Sequence, residues 1–246
     1  MEKTRGLIIK QSDYGDGNRM LTIFTEDFGI IKAAVYGVKR AKSRQSAASQ
    51  FLSWSEFVLY FGRGDVASVN SVTPIESFFP VCEDLQKLSL CTYLCDITYH
   101  IQAPSLPEHK LLRLMLNSFY ACAYTDTPIK KIKAVYELRL AAEMGYMPVL
   151  SGCASCCEKK PLKYFSAARN GFICEDCHSA VSDDIAVSEE AYKAVGYILL
   201  SHEKKIFSFD ITDTALEQVG NISERYIIYC TEKNFSSLEY LKKVLT

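Results

Sequence analysis

Hydrophobic and polar positions alternate over short stretches of the first eighty residues, and turn-forming residues separate these stretches. The alternation predicts strands at 6–12, 19–25, 30–36, 51–61 and 66–77. A polar segment without periodicity, 37–50, separates the third strand from the fourth and is expected to form a loop or a short, weak helix. Five short strands with a long connection after the third are typical of a small closed or partly closed barrel.

The hydrophobic period changes from two residues to between three and four near residues 79–80. This period predicts amphipathic helices at 83–102, 108–124, 129–145, 188–201, 212–231 and 237–245. The chain is therefore predicted to have a barrel domain over residues 1–79 and an α-helical domain over residues 80–246.

Composition agrees with a folded protein that has a substantial core. The chain has 246 residues, of which 48% are hydrophobic and 23% are charged. No run of apolar residues approaches the ~18 that a membrane helix needs, so we expect no membrane association. The N-terminal residues lack the apolar core of a signal peptide, and we expect a cytoplasmic protein.

Four of the ten cysteines have the spacing of a metal site. Cys153 and Cys156 form one Cys-x-x-Cys pair, and Cys174 and Cys177 form a second pair after 17 intervening residues. The link contains the sequence Asn-Gly at 170–171, which favours a hairpin turn. The pattern predicts a zinc-binding insert at about 150–180, with Cys157 and His178 as second choices for a ligand. The remaining cysteines, which lie in apolar periodic segments, are predicted to be small core residues: Cys82, Cys91, Cys95, Cys122 and Cys230.

The predicted zinc site is structural because four thiolates leave no coordination position for water or substrate. Motifs of nucleotide hydrolases, zinc proteases, serine hydrolases and zinc deaminases are absent from the sequence. We therefore expect a protein that is not an enzyme.

Basic residues are concentrated between the third and fourth predicted strands. No acidic residue occurs between Asp27 and Glu56. The candidate DNA-binding residues are the cations in this interval: Lys32, Lys39, Arg40, Lys42 and Arg44. Aromatic rings of the barrel that could stack on bases are Tyr14, Phe28, Tyr36, Phe51, Trp54, Tyr60 and Phe61, although most of them are expected in the core. The alternative is that the cations belong to a solvated loop.

Several motifs occur together in a characteristic order. The basic stretch contains Gly37, Arg40, Lys42, Ser43 and Arg44, which resemble a Gly-x-x-Arg-x-x-Lys-Ser-Arg segment but have one residue fewer between Arg40 and Lys42. A helix ending in Gly145, Tyr146 and Pro148 leads directly into the first cysteine pair, and SSLEYLKKVL ends the sequence. Over nearly its whole length the chain resembles RecO, the family of bacterial recombination and repair mediators.

The resemblance implies an α+β fold: an N-terminal five-stranded OB-fold barrel, then an α-helical domain with an inserted four-cysteine zinc finger. It implies a non-enzymatic protein that binds single- and double-stranded DNA and anneals complementary strands. The implied partners are RecR, the acidic C-terminal tail of single-strand-binding protein and, indirectly, RecA. Candidate cations for binding that tail in the helical half are Arg113, Lys130, Lys131, Lys133 and Arg139.

Two alternatives stay open on the sequence. A zinc-ribbon protein of transcription or RNA binding would share the basic stretch but would prefer RNA or a particular sequence. A protein–protein adaptor would bind peptides on the barrel and would show no affinity for nucleic acid at low salt.

Overall fold

The computed structural model describes residues 1–37, 49–101, 106–179 and 183–246. Its strands are β1 (Glu2–Asp13), β2 (Arg19–Thr25), β3 (Gly29–Val35), β4 (Trp54–Tyr60), β5 (Val66–Glu76), β6 (Leu162–Ser166), β7 (Gly171–Cys174) and β8 (Ile185–Ala186). Its helices are α1 (Phe79–Cys82), α2 (Leu85–Ile101), α3 (His109–Tyr124), α4 (Ile129–Glu143), α5 (Glu189–Leu200), α6 (Asp213–Thr231) and α7 (Ser236–Leu245). Short 3₁₀ turns occur at Glu175–Cys177 and Glu203–Lys205.

The first five strands close into a barrel in the order β1-β2-β3-β5-β4. Antiparallel pairing of β1 with β4 closes the barrel, and β3 pairs with β5 in parallel. Alternate residues face inward and exclude water from the interior, which is lined by Ile8, Leu21, Ile23, Ile31, Ala33, Val35, Phe57, Leu59, Ala67 and Val69. The predicted five-stranded barrel is confirmed as a closed one.

One compact unit comprises Met1–Tyr124 together with Phe235–Thr246. It contains the barrel, α1 to α3 and the C-terminal α7, which packs against α2. The carboxylate of Asp84 accepts hydrogen bonds from the backbone N–H groups of Gln86 and Lys87, at 2.8 and 3.1 Å, and so caps the start of α2. Gly29 follows the tight turn before β3 with a φ of 64°, and a Cβ there would collide with the backbone of Leu106.

The other compact unit spans Thr125–Asn234 and contains α4 to α6 and the sheet β7-β6-β8. Ser188 caps α5 by accepting from the N–H of Ala191 at 3.2 Å, and Thr212 caps α6 in the same way. Helix α4 packs against both α5 and α6, so it is covered on several sides.

The α+β fold class is confirmed, but the compact units divide the chain differently from the secondary structure. Strands give way to helices between Glu76 and Phe79, as predicted, yet α1 to α3 group with the barrel. The division into domains at residues 79–80 therefore remains a prediction made from the sequence. The sequence pattern did not reveal β8, because two residues are too few to show alternation.

Four of the five scattered cysteines are buried as predicted, and one is not. Cys91, Cys95, Cys122 and Cys230 lie in the core. The prediction was wrong for Cys82, which is exposed at the end of the short helix α1. Within the ranges that the structure describes, none of the helices has the length and hydropathy needed to cross a bilayer.

Candidate metal centre and nucleic-acid surface

The structure brings together the four cysteines of the two Cys-x-x-Cys pairs. The Sγ atoms of Cys153, Cys156, Cys174 and Cys177 all lie within 4.8 Å of one another. The Sγ atoms of Cys156 and Cys174 are 3.9 Å apart. A tetrahedral ion with Zn–S bonds of about 2.3 Å places its sulfur ligands about 3.8 Å apart, so the arrangement fits a metal ion with four thiolate ligands.

Two turns and a hairpin position these thiols. Cys153 to Cys157 form the first turn, in which the N–H of Cys157 donates to the carbonyl of Cys153 at 2.8 Å. The hairpin of β6 and β7 brings Cys174 back beside the first turn, and the 3₁₀ turn that follows presents Cys177. Gly171 is required at the hairpin because a Cβ would lie only 2.8 Å from the backbone nitrogen of Val149. The predicted hairpin turn at residues 170–171 is therefore present.

The backbone around the cluster favours a thiolate at Cys153. Burial opposes the charged form of this thiol, but backbone N–H groups outweigh burial and lower its pKa to about 6. One of these groups is the N–H of Cys174, which lies 3.4 Å from the Sγ of Cys153. Because thiolates are the form that binds zinc, this environment suits the ligand chemistry of a metal site.

The two second-choice ligands lie outside the cluster. Cys157 is exposed and has a φ of 62°, and it is not among the cysteines whose sulfurs converge. The Nδ1 of His178 lies 3.1 Å from the carboxylate of Asp184, and its ring stacks on that of Tyr164 with centroids 3.8 Å apart. Sequence reasoning missed this packing because Tyr164 is fourteen positions from His178 and no spacing rule links the two.

Aromatic packing holds the hairpin to the helices of its own unit. The ring of Phe165 lies 5.3 Å from that of Tyr226 in α6, and the ring of Phe172 lies 4.9 Å from that of Tyr192 in α5. The hydroxyl of Tyr226 also donates to the carbonyl of Tyr146 at 3.0 Å. Residues 150–179, which we call the ribbon, are therefore held by aromatic packing at the β6–β7 hairpin and by the cysteine cluster.

The candidate DNA-binding cations differ in what the structure shows of them. Lys32 is exposed on the outer face of β3, beside Val66 of β5. Lys39, Arg40, Lys42 and Arg44 lie outside the described residues. Of the other barrel cations, Lys3 pairs with Glu56 at 2.9 Å and Arg5 with Glu26 at 2.8 Å, so their charges are partly neutralised.

The candidate aromatic rings divide into exposed and covered groups. Trp54 is buried, and Phe28 packs against the barrel interior. Phe51 is half-buried. The exposed rings, which could stack on bases, are Tyr14, Tyr36, Tyr60 and Phe61. Tyr60 pairs with Ser68 in β5, which in turn pairs with Ala34 in β3, so its outward side chain shares a face with Lys32.

Three of the five cations considered for the helical half are engaged within their own unit. Lys131 donates to the carbonyl of Phe209, and Arg139 donates to the carbonyl of Ser201. Lys133 lies between the carboxylates of Glu137 and Glu224, at 3.0 and 2.9 Å. These side chains stabilise the fold and do not offer a cationic rim, whereas Arg113 in α3 and Lys130 at the start of α4 are exposed.

Comparison with known proteins gives matches over nearly the whole chain. Residues 1–78 match the family model described as Recombination protein O N terminal, and residues 82–239 match Recombination protein O C terminal. A DNA repair protein RecO of Acetivibrio thermocellus is 37% identical over 241 residues, which cover 98% of this chain and 96% of the relative. One of Alkaliphilus metalliredigens is 30% identical over 244 residues, covering 98% and 99%.

These matches identify a protein of DNA repair and recombination. Within that class, the chain belongs to the RecO family. The resemblance inferred from the sequence is thereby confirmed.

Proposed function

We propose that this chain is a non-catalytic recombination mediator that binds single- and double-stranded DNA through its barrel and anneals complementary strands. With RecR, it would help RecA to load onto DNA coated by single-strand-binding protein. Membership of the RecO family supports this role, and so does the chemistry of the barrel surface. A protein that acts on chromosomal DNA in a bacterium works in the cytoplasm, which is where we place it.

The observation that carries the proposal is a face of the barrel that combines a cation with exposed rings. We call it the β3–β5 face, and it consists of Lys32, of Tyr60, which strand pairing places on the same side, and of Tyr36, which directly follows β3. Tyr36 and Tyr60 are 57% and 56% exposed, although each follows or ends a strand whose other face is buried. Large exposed rings beside cations are typical of surfaces that stack bases and neutralise phosphates.

More cations follow Tyr36 in the sequence. Tyr36 leads directly into the stretch that carries Lys39, Arg40, Lys42 and Arg44, and no acidic residue interrupts it. Each cation that contacts a phosphate releases condensed counterions, so binding is favoured entropically and weakens with salt. The bases are then held by stacking rather than by specific hydrogen bonds, which suits a protein that must accept any sequence.

Annealing on such a surface needs neither bound ATP nor ATP hydrolysis. Cations screen the repulsion between two phosphate backbones, and base pairing supplies the free energy. The protein therefore contributes proximity and charge neutralisation, and the proposal assigns no catalytic residue.

The cysteine cluster is proposed to bind one Zn²⁺ ion in a structural role. The donor set is four sulfurs, and zinc is the common cytosolic metal that such a set prefers. The separations of the sulfurs also fit a tetrahedron. When bound, the ion would fix the two cysteine turns to each other. The chain's own hairpin and helices would orient the thiols before the ion arrives.

For the acidic tail of single-strand-binding protein, we propose fewer binding residues than the five candidate cations from the sequence. Lys131, Lys133 and Arg139 are bonded within the fold, so the exposed candidates are Arg113 and Lys130, of which Lys130 is tested first. Exchanging Lys130 for Glu is expected to weaken binding of an acidic tail peptide at least fivefold, measured by fluorescence anisotropy. Equal affinity of the variant and the native chain would remove Lys130 from the proposal.

The test of DNA binding is a titration of a fluorescent single-stranded oligonucleotide across a salt series. The variant replaces Lys39, Arg40, Lys42 and Arg44 by Ala, and its matched control replaces four exposed lysines of the other unit, Lys193, Lys204, Lys205 and Lys233. Loss of four phosphate contacts is expected to reduce the slope of log K against log salt by about 3 for single strands. The control is expected to keep the native slope.

Three other results would contradict the proposal in different ways. Equal slopes for both variants would move DNA binding away from the basic stretch. A strong preference for RNA of the same sequence would favour an RNA-binding protein. Failure of the native chain to bind any nucleic acid at low salt would favour an adaptor.

A further inference from the structure

A cavity of about 620 Å³ lies within the compact unit that contains the barrel. Its walls come from β1, from the C-terminal half of α2 and from the first turns of α7. The residues that give it chemical character are Lys10, Gln11, Phe51, Tyr99, His100 and Tyr240. The volume lies within the range of small-molecule sites, which is roughly 300–1,000 Å³.

Aromatic rings and one lysine determine what this cavity can bind. Phe51, Tyr99 and Tyr240 supply flat apolar faces. The side chain of Tyr240 is 54% exposed, so its ring is accessible to a ligand. The Nζ of Lys10 lies 5.7 Å from the centre of the Tyr99 ring, so a cation stands directly beside a stacking surface. The exposed amide of Gln11 adds a donor and an acceptor at the edge.

The carboxylate of Asp96, which also lines the cavity, is held by two neighbouring side chains. It accepts a hydrogen bond from the hydroxyl of Ser237 at 2.5 Å, and the Nε2 of His100 lies 3.4 Å from its other oxygen. These contacts join α2 to α7 and hold the walls together. Lys10 is the positive charge that a ligand would meet, and an anionic group beside an aromatic plane is the chemistry that matches it.

The cavity also lies where the basic stretch rejoins the barrel. Phe51 follows closely on Ser49, whose carbonyl accepts a hydrogen bond from Arg19 at 3.0 Å. In the sequence, Phe51 stands only seven positions after Arg44, the last of the candidate DNA-binding cations. This connectivity favours a nucleotide of a bound strand over an unrelated small molecule.

We propose that this cavity receives one unstacked nucleotide of bound single-stranded DNA. Its base would lie against Tyr99 and Tyr240, and its phosphate would contact Lys10. The inference rests on the proposed DNA-binding function and deepens it, because stacking of bases on aromatic rings is how proteins hold single strands without sequence preference. It assigns DNA contacts to α2 and α7, in addition to the barrel strands.

Two experiments on the full chain test the site. Photo-crosslinking with an oligonucleotide that contains 5-iodouracil is expected to label Phe51, Tyr99 or Tyr240, identified by mass spectrometry. Tyr240→Leu is expected to weaken oligonucleotide binding roughly fivefold or more while leaving the salt slope unchanged, because it removes stacking and no phosphate contact. Lys10→Ala is expected to lower the slope by about 0.7.

The matched control is Tyr229→Leu, which removes a similarly exposed tyrosine from a helix of the other unit and should leave binding unchanged. Native affinity in Tyr240→Leu, with crosslinks confined to the β3–β5 face, would overturn the cavity while leaving barrel binding intact. If Tyr240→Leu instead loses affinity for an acidic peptide and keeps that for DNA, the cavity docks protein and the proposal is wrong. Absence of DNA binding by the native chain would overturn both proposals together.

Discussion

The barrel and the cysteine ribbon hold similar short strands together by different means. The barrel buries ten apolar side chains in one closed interior. Around the thiols, the ribbon's own core cluster is Cys153, Ile173 and Cys174, which is too small to stabilise a fold. The barrel is therefore stabilised mainly by the hydrophobic effect, whereas the ribbon depends on its cysteine cluster and on aromatic packing against helices. Substitutions of a cysteine ligand and of a barrel core residue should therefore have different effects on zinc binding and on stability.

The largest expected effect is that of removing a cysteine ligand. Cys153→Ser is expected to abolish stoichiometric zinc binding, because it removes one of the four thiolate ligands. The site then loses the contribution of the metal to its folding, which is on the order of 10 kcal/mol for structural zinc. Hydrogen exchange should accelerate in residues 150–160 and 174–179, while the β6–β7 hairpin keeps part of its protection through Phe165 and Phe172. Metal analysis and exchange mass spectrometry measure both.

Cys157→Ser is the matched control, because this exposed cysteine adjoins Cys156 but lies outside the cluster. It should keep one zinc per chain and native exchange. Loss of metal in this variant would show that Cys157 is a ligand, and the assignment of the four thiolates would then be wrong.

A substitution that opens a hole in the barrel core should lower stability without affecting zinc binding. Phe57 is completely buried among the inward-facing residues, so Phe57→Ala is expected to lower the free energy of unfolding by about 3–5 kcal/mol. Zinc content should stay at one per chain, since the cysteines lie in the other compact unit. Thermal denaturation and metal analysis of the same sample check the prediction, and a parallel loss of zinc would contradict it.

The helices that support the ribbon contain a buried charged group of their own. Burial opposes the charge of Lys133, but Glu137 and Glu224 outweigh it and raise the pKa of this lysine above 10.5. Lys133→Met leaves the buried carboxylate of Glu137 without its cation, so we expect a loss of about 3 kcal/mol in the free energy of unfolding. Lys130→Met, on the exposed start of the same helix, should change stability little.

The pH dependence of this interaction has a defined sign. Because the folded pKa of Lys133 is raised, its stabilising contribution is complete below the unfolded value of 10.5 and is lost as the pH rises through the folded value. The difference in stability between the native chain and Lys133→Met should therefore be constant near neutral pH and shrink only at strongly alkaline pH. Denaturant titrations at several pH values measure it, and shrinkage already near pH 8 would contradict the assignment.

The smallest expected effect concerns a single cation on the barrel surface. Lys32→Ala should reduce the salt slope of single-strand binding by about 0.7, the value of one phosphate contact, without affecting stability. Lys3→Ala is the control, because Lys3 is paired with Glu56. Equal slopes for Lys32→Ala and the native chain would remove Lys32 from the DNA surface.

Sequence reasoning succeeded where a short-range pattern determines the structure. Alternation placed the barrel strands, and Cys-x-x-Cys spacing with Asn-Gly between the pairs placed the thiols and the hairpin. It failed where distant residues decide. Lys131 and Arg139 have the same sequence character as the exposed Lys130, but contacts with Phe209 and Ser201 hold them inside the fold. The cavity between β1, α2 and α7 joins segments that are 80 or more residues apart in the sequence, which no local period can reveal.

The most direct test of the account compares DNA binding before and after metal removal. The central claim is that the barrel unit binds DNA and that the cysteine centre stabilises a separate unit. After a chelator has removed the metal, the full chain should bind a single-stranded oligonucleotide with an affinity within about twofold of the native value and the same salt slope. Hydrogen exchange in residues 150–179 should accelerate in the same sample. Loss of DNA binding at the first equivalent of chelator, together with the loosening of the ribbon, would contradict the account.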